Sequence, residues 1–348
     1  MKRLIVLAAA LSACTSFACA QFKYCSIDYP AGFGTYARGI NNRGQIIGSY
    51  NDQNGNLHAL LIQGDTFIPL APTSILGTQY SDAYKINDLG DVVGVTYDSN
   101  GGHGFLYTSR NGKVTLLDYP GAVDTYAWGI NDFGEVVGWY EVPDSSGNLF
   151  YHGFKWANGH FSELTYPGSG DTYATGNNNW GAIVGGWDTG LTATSEQGFV
   201  SWFGQYFNYV APNPKIAYTQ PNDINNLGLV VGEDYTAAQW QTGDGFGFLA
   251  IGREFIQLNF PGSDGTTAWG INDESEIVGN WYDANNLAHG WLVRPDRRDC
   301  PSFQVEGSSW SSSTVLNPAV ESDSHAATLV SPATGQINIP ERLQTMQR

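Results

Sequence analysis

Apolar and polar residues alternate along this chain in short runs, each broken by a cluster of Gly, Asn, Asp or Pro, and that rhythm predicts many short β-strands joined by tight turns. The clearest stretch is Gly129-Ile130-Asn131-Asp132-Phe133-Gly134-Glu135-Val136-Val137-Gly138. Its polar centre supplies an asparagine that can bond its own backbone and a glycine for positive φ, between two β-rich runs, which is the chemistry of a hairpin turn.

The stretch recurs. Aligned on its asparagine, the chain gives Asn41, Asn87, Asn131, Asn178, Asn225 and Asn272, at intervals of 46, 44, 47, 47 and 47 residues. Seven positions on, every copy has a glycine (Gly48, Gly94, Gly138, Gly185, Gly232, Gly279) behind an Ile/Val pair. Three positions on stands Gly44, Gly90, Gly134, Gly181 or Gly228, with Ser275 the departure. A residue type needed in every copy serves the copy, so the motif reads as a structural turn.

The third unit shows four strands, over about Thr125 to Ile130, Glu135 to Tyr140, His152 to Trp156 and His160 to Tyr166, with Asn158-Gly159 turning the third into the fourth. Each unit ends on a proline corner: Pro30, Pro72, Pro120, Pro167, Pro212 and Pro261. The first corner precedes the first hairpin and none follows the last. Phe22 to Tyr29 therefore reads as a fourth strand lacking its first three, while residues 266 to 294 read as three lacking a fourth. A ring satisfies both incomplete ends at once. The expectation is an all-β fold, a six-bladed β-propeller of four-stranded blades over residues 21–300, with the N-terminal strand closing the last blade. An open β-solenoid with capped ends is the alternative.

Composition changes this picture in one respect, the partner. The net charge is −17 and no basic run is long enough to follow a phosphate backbone, which argues against nucleic acid. Residues 1–20 carry Lys2 and Arg3, an apolar run and Ala18-Cys19-Ala20, the layout of a cleaved signal peptide and hence of a secreted or periplasmic protein. Leu11-Ser12-Ala13-Cys14 offers the competing reading, a lipoprotein anchored through Cys14. No later stretch reaches the roughly 18 apolar residues of a membrane span. Cleavage after Ala20 leaves Cys25 and Cys300, one in the closing strand and one just past the strand it would join, and predicts a disulfide that locks the ring. Residues 301–348, rich in Ser, Thr, Ala and Pro, read as a flexible tail.

The units resemble the bacterial extracellular HAF repeats, named for a His-Ala-Phe signature. Here that signature reads His58-Ala59-Leu60, His103-Gly104-Phe105, His152-Gly153-Phe154 and His289-Gly290-Trp291, with Gln197-Gly198-Phe199 and Phe246-Gly247-Phe248 departing. The resemblance covers about residues 22 to 294 and implies export and repetition, with no catalytic activity to carry over. The histidines occupy one register in different blades, so they read as structural contacts rather than a metal site.

Binding residues favour loops on a rigid frame, and the loops between second and third strands differ most between copies. Tyr50, Tyr97, Trp139, Tyr140, Trp187, Trp281 and Tyr282 stand at their edge, beside Asp52, Asp98, Asp144, Asp188, Asp234 and Asp283. Aromatic planes next to carboxylates suit glycan or protein; the competing reading packs the same rings into the seams between blades. Asp124, Asp171 and Asp264, each before a first strand, are the candidates for a hydrolase or lyase centre at the axial mouth, with Ca²⁺ as the conceivable ion. No Ser/His/Asp set, phosphate loop or Cys/His cluster accompanies them, and no cofactor is implied. The expected activity is thus an extracellular binding or adhesion module, monomeric and without turnover, ahead of an enzyme or a purely structural surface protein.

Overall fold

The computed structural model describes residues 22–30, 33–70, 80–190, 195–242, 245–295, 300–301 and 304–305. The leader, Cys14, Pro72 and residues 306–348 lie outside them.

The fold is a six-bladed β-propeller. Six antiparallel sheets each run outward from an inner strand: Thr35–Ile40, Ser81–Ile86, Asp124–Ile130, Asp171–Asn177, Ile216–Ile224 and Gly265–Ile271. The third unit has its four strands at Asp124–Ile130, Val136–Pro143, Leu149–Ala157 and His160–Leu164. The ring closes as the offset of the corners predicts. Tyr24–Ile27 pairs with Ala288–Val293, setting Cys25 against Leu292 and Ile27 against Gly290. Cys25 and Cys300 form a disulfide with Cα atoms 5.3 Å apart, across a sequence separation of 275 residues.

Two elements depart from the sequence expectation. The loop from 233 to 245 contains a short helix, Ala237–Thr242. Gln304–Val305, inside the segment read as a tail, adds a parallel fifth strand to the first blade against Thr66–Phe67, covering an edge that would otherwise leave backbone groups unpaired.

The repeated residues hold the blades together. Each turn asparagine accepts an N–H bond on its Oδ1 from the residue four further on, and all but Asn272 accept a second from the residue two further on, as Asn131 does from Glu135 at 3.0 Å and Phe133 at 3.1 Å. Its Nδ2 donates to the carbonyl of the next turn asparagine: Asn41 to Asn87, Asn87 to Asn131, Asn131 to Asn178, Asn178 to Asn225, Asn225 to Asn272 and Asn272 back to Asn41. That closed circuit explains why the asparagine recurs. The glycine seven positions on is explained by a bulge in the inner strand, which brings a carbonyl so near that a Cβ on Gly138 would run into the Tyr126 oxygen.

The bulge also fills the axis. The extra residue in each inner strand is Arg38, Tyr84, Trp128, Thr175, Asn222 or Trp269. Tyr84 stacks on Trp128 at 3.9 Å, Trp128 meets Trp269 of the opposite blade at 6.1 Å, and the Arg38 guanidinium lies 4.5 Å from the Trp269 ring. Arg38 is also paired with buried Asp82 at 3.3 Å. At the next position four blades have glycine, and the room these leave is taken by Lys85, whose ammonium contacts Asp223 across the axis. Burial lowers the Lys85 pKa, to about 7, and the Asp223 carboxylate acts against that shift. The axis is a plug, not a pore.

Candidate binding face

In each blade the two hairpin turns lie on one face, and the second-to-third loop lies with the blade-to-blade connection on the other. The aromatic residues expected to bind ligand lie at the loop-face ends of their strands, and the structure packs them. Tyr97, Trp139, Tyr140 and Tyr282 are buried, while Tyr50, Trp187 and Trp281 are half-buried. Corner rings stack on the second strand of the following blade: Tyr29 on Tyr50 at 4.0 Å, Tyr119 on Tyr140 at 3.6 Å, Tyr166 on Trp187 at 4.3 Å and Phe260 on Trp281 at 4.5 Å. Signature histidines add to three of these stacks, His58 on Tyr50, His152 on Tyr140 and His289 on Trp281. Trp139 stacks on Tyr126 at 3.8 Å, Tyr97 abuts Tyr80 and Tyr126, and Tyr282 packs with Tyr36 and Leu57. Rings held this way are seams between blades, so they offer no open platform for a sugar.

The acids of that face are similarly engaged. Asp52, Asp144 and Asp283 accept N–H bonds within their own loops, and the bonds from Asn148 hold the Asp144 carboxyl below the usual range. Burial works to lower the His103 pKa, but hydrogen bonds to Asp118 and Asp98 outweigh it and raise the pKa. Asp124 accepts from Gly102 N–H, Asp171 accepts from Tyr151 N–H at 3.0 Å, and Asp264 donates its own N–H to the Tyr282 carbonyl at 3.0 Å. Asp124 and Asp171 thus each tie one blade to the preceding one, whereas the Asp264 bond lies within its own blade. Among the described residues no group of three or more His, Cys, Asp or Glu side chains could hold a metal. The neighbour Asp124 does have is Glu141, fully buried, whose pKa rises to about 8 by burial and by the Asp124 charge.

Open surface lies on the turn face. A small, shallow funnel opens there on the axis, lined by Lys85, Asp223 and the asparagine circuit. Above that circuit is a second one, built by the next residue in each turn. Asn42 N–H donates to Asp88, Asp88 to Asp132, Asp132 to Asn179, Asn179 to Asn226, Asn226 to Asp273 and Asp273 to Asn42, at 2.7 to 2.9 Å. One residue further, at the tip of each turn, the order round the ring is Arg43, Leu89, Phe133, Trp180, Leu227 and Glu274. Leu89 is 59% exposed, Phe133 74%, Trp180 66% and Leu227 63%. Four neighbouring tips are therefore large, apolar and open to water, with opposite charges completing the circle. Trp202 and Phe203, in an outer turn of the fourth blade, extend the apolar area on the same face.

Sequence reasoning passed over these tips because the motif around them is constant. Their signal was present as variation inside that constancy, one position changing freely between an invariant asparagine and an almost invariant glycine.

No family model matches the chain, and no curated protein matches it. Among solved structures it is similar to the β-propeller domain of the Trilobed protease from Pyrococcus furiosus, at 10% identity over 78% of this chain and 98% of that one, with a TM-score of 0.48. It is also similar to a mutant Aleuria aurantia lectin in complex with Fucalpha1-6GlcNAc, at 11% identity over 80% and 98% of the two chains, with a TM-score of 0.47. TolB from Acinetobacter baumannii is similar at 10% identity over 72% of this chain and 64% of its own, with a TM-score of 0.48. Similarity at this level says nothing of ligand or activity.

Proposed function

We propose that this chain is an exported binding module without turnover that engages a protein partner through its turn face. The observation that carries the reading is the uninterrupted arc of Leu89, Phe133, Trp180 and Leu227, exposed on a rigid ring. Contiguous apolar side chains with a polar surround mark association surfaces, and Trp and Phe are enriched at their centres. Export is supported by the Cys25–Cys300 disulfide, which belongs to an oxidising compartment. No helix among the described residues is long and apolar enough to cross a membrane.

A glycan is the second reading, favoured by Phe133 and Trp180 beside a circle of amides and carboxylates that could bond hydroxyls. Leu89 and Leu227 weigh against it, since they offer a sugar ring no planar face.

A photo-crosslinking residue placed at Leu227, with a control at Ser145 on the loop face, tests the proposal in the secreting host. Polypeptide adducts from Leu227 and none from Ser145 are expected. Absence of adducts at Leu227 overturns the proposal. A glycan-array signal, read with and without Ca²⁺, that Trp180→Ala abolishes would replace the protein reading by the sugar one.

A further inference from the structure

We infer that the partner of the turn face is a second copy of this chain, docked face to face about a two-fold axis that lies in the face and passes between Phe133 and Trp180. The inference rests on the turn face being the binding surface, and it names the occupant.

An isologous contact requires that when one residue meets another across the axis, the second also meets the first. The order of tips round the ring satisfies this for one axis. With the axis between Phe133 and Trp180 it also passes between Glu274 and Arg43, the opposite gap. Phe133 then faces Trp180 of the second copy, Leu89 faces Leu227, and Arg43 faces Glu274. Every apolar tip meets an apolar tip and each charge meets its opposite. Any other in-plane two-fold of the six-membered ring sets Arg43 against itself or against an apolar tip.

The circuit beneath selects the same axis independently. Its order is Asn42, Asp88, Asp132, Asn179, Asn226 and Asp273. About the axis between Phe133 and Trp180, Asp132 faces Asn179, Asp88 faces Asn226 and Asp273 faces Asn42, so no acid meets an acid; the amides donate within their own ring, Asn42 to Asp88 and Asp273, Asn179 to Asp132 and Asn226 to Asp273. Every other in-plane two-fold brings at least one acid onto an acid, where like charges repel. Two rings at different depths thus agree on one symmetry operator.

The chemistry of this contact has a fixed layout. Phe133, Trp180 and their copies form an aromatic cluster at one end of the axis, where burial of large rings dominates association energy. Two Arg43–Glu274 pairs lie at the other end and fix the register. This departs from the monomer expected of a closed ring, because closure removes strand edges but leaves the turn tips uncovered.

Sedimentation velocity on the purified chain, over a range of concentrations, tests the inference. The wild type is expected to dimerise. Arg43→Glu and Glu274→Arg should each weaken the dimer at least tenfold, the double reversal should restore it, and Trp180→Ser should abolish it. These side chains are exposed, so cooperative unfolding close to the wild-type midpoint confirms that every variant is folded. A wild type that stays monomeric overturns the inference, and so does a dimer indifferent to Trp180→Ser and to the reversals. If the wild type is monomeric while Leu227 adducts contain another polypeptide, only the second-copy inference falls. If it is monomeric and no adducts form, the binding-face reading falls too.

Discussion

The two faces of the disc invert what their sequences suggest. On the loop face the connections differ in length and composition from blade to blade, yet the rings at their bases are stacked and the acids are bonded to nearby N–H groups. On the turn face the motif hardly changes, yet four of its six tips are large apolar side chains, 59% to 74% exposed. Variability between repeats therefore marks freedom from the scaffold, which is a different property from being available to a partner. A position can vary because nothing constrains it, or because something outside the chain reads it; exposure combined with apolar chemistry separates the two cases.

The sharpest way to break this contrast is to exchange tryptophans. Trp139 and Trp180 are both aromatic residues near turns or loops, but Trp139 is buried against Tyr126, whereas Trp180 is 66% exposed and held by one surface bond from its indole N–H to the Asn226 carbonyl at 3.0 Å. Trp139→Ala should cost about 4 kcal/mol of stability through lost burial and a residual cavity. Trp180→Ser should cost no more than about 1 kcal/mol, the worth of that one exposed hydrogen bond. Chemical denaturation measures both. A Trp139→Ala variant as stable as wild type would mean the loop-face rings are not seams, and the original expectation that they bind ligand would return.

The next effect is a pH dependence at Glu141 on the loop face. Glu141 is fully buried beside Asp124 and its pKa is raised from 4.5 to about 8, so the folded state favours its protonated form. The sign follows from linkage: this residue's favourable contribution is complete below about 4.5 and is lost as pH rises through about 8, a change on the order of a few kcal/mol. Glu141→Gln keeps the shape without the charge. Denaturation from acid to mildly basic pH should show the variant gaining on the wild type as pH rises. A difference between the two that does not change with pH would show that the Glu141 carboxyl is not held neutral by its surroundings.

Much of the scaffold was legible before any coordinates. The register of Asn41 through Asn272 counts the blades because each copy needs the same side chain for the same circuit, and a requirement repeated is visible in one sequence. The offset of the proline corners revealed the shared blade for a similar reason: backbone groups left over at two ends must meet. Cys25 and Cys300 followed from that closure. The candidate site was less legible. Tyr140 looks the same in the sequence whether it faces water or stacks on Tyr119, and which occurs depends on a corner residue from the preceding blade. The axial plug was hidden too, because the bulge that turns Trp128 and Trp269 inward is a feature of strand register and not of composition.

The smallest effect offers the finest test, because it asks whether the turn face keeps apolar side chains where folding alone would discard them. Asn158 and Phe203 occupy the same place in the outer turns of neighbouring blades, each just before a glycine, with φ of 52° and 51°. Asparagine accepts this left-handed conformation readily, whereas a bulky side chain is strained there. Phe203 gains little in return, being 86% exposed, with the Trp202 ring stacked on it at 5.6 Å. Phe203→Asn should therefore raise stability by about 1 kcal/mol, seen as a higher thermal midpoint, and at the same time reduce dimer formation or adduct yield at Leu227. A gain in stability with no loss of association would make Phe203 an accident of the fold. A loss of stability would show that the Trp202–Phe203 stack supports the blade, and the apolar surface on this face would then end at the inner tips.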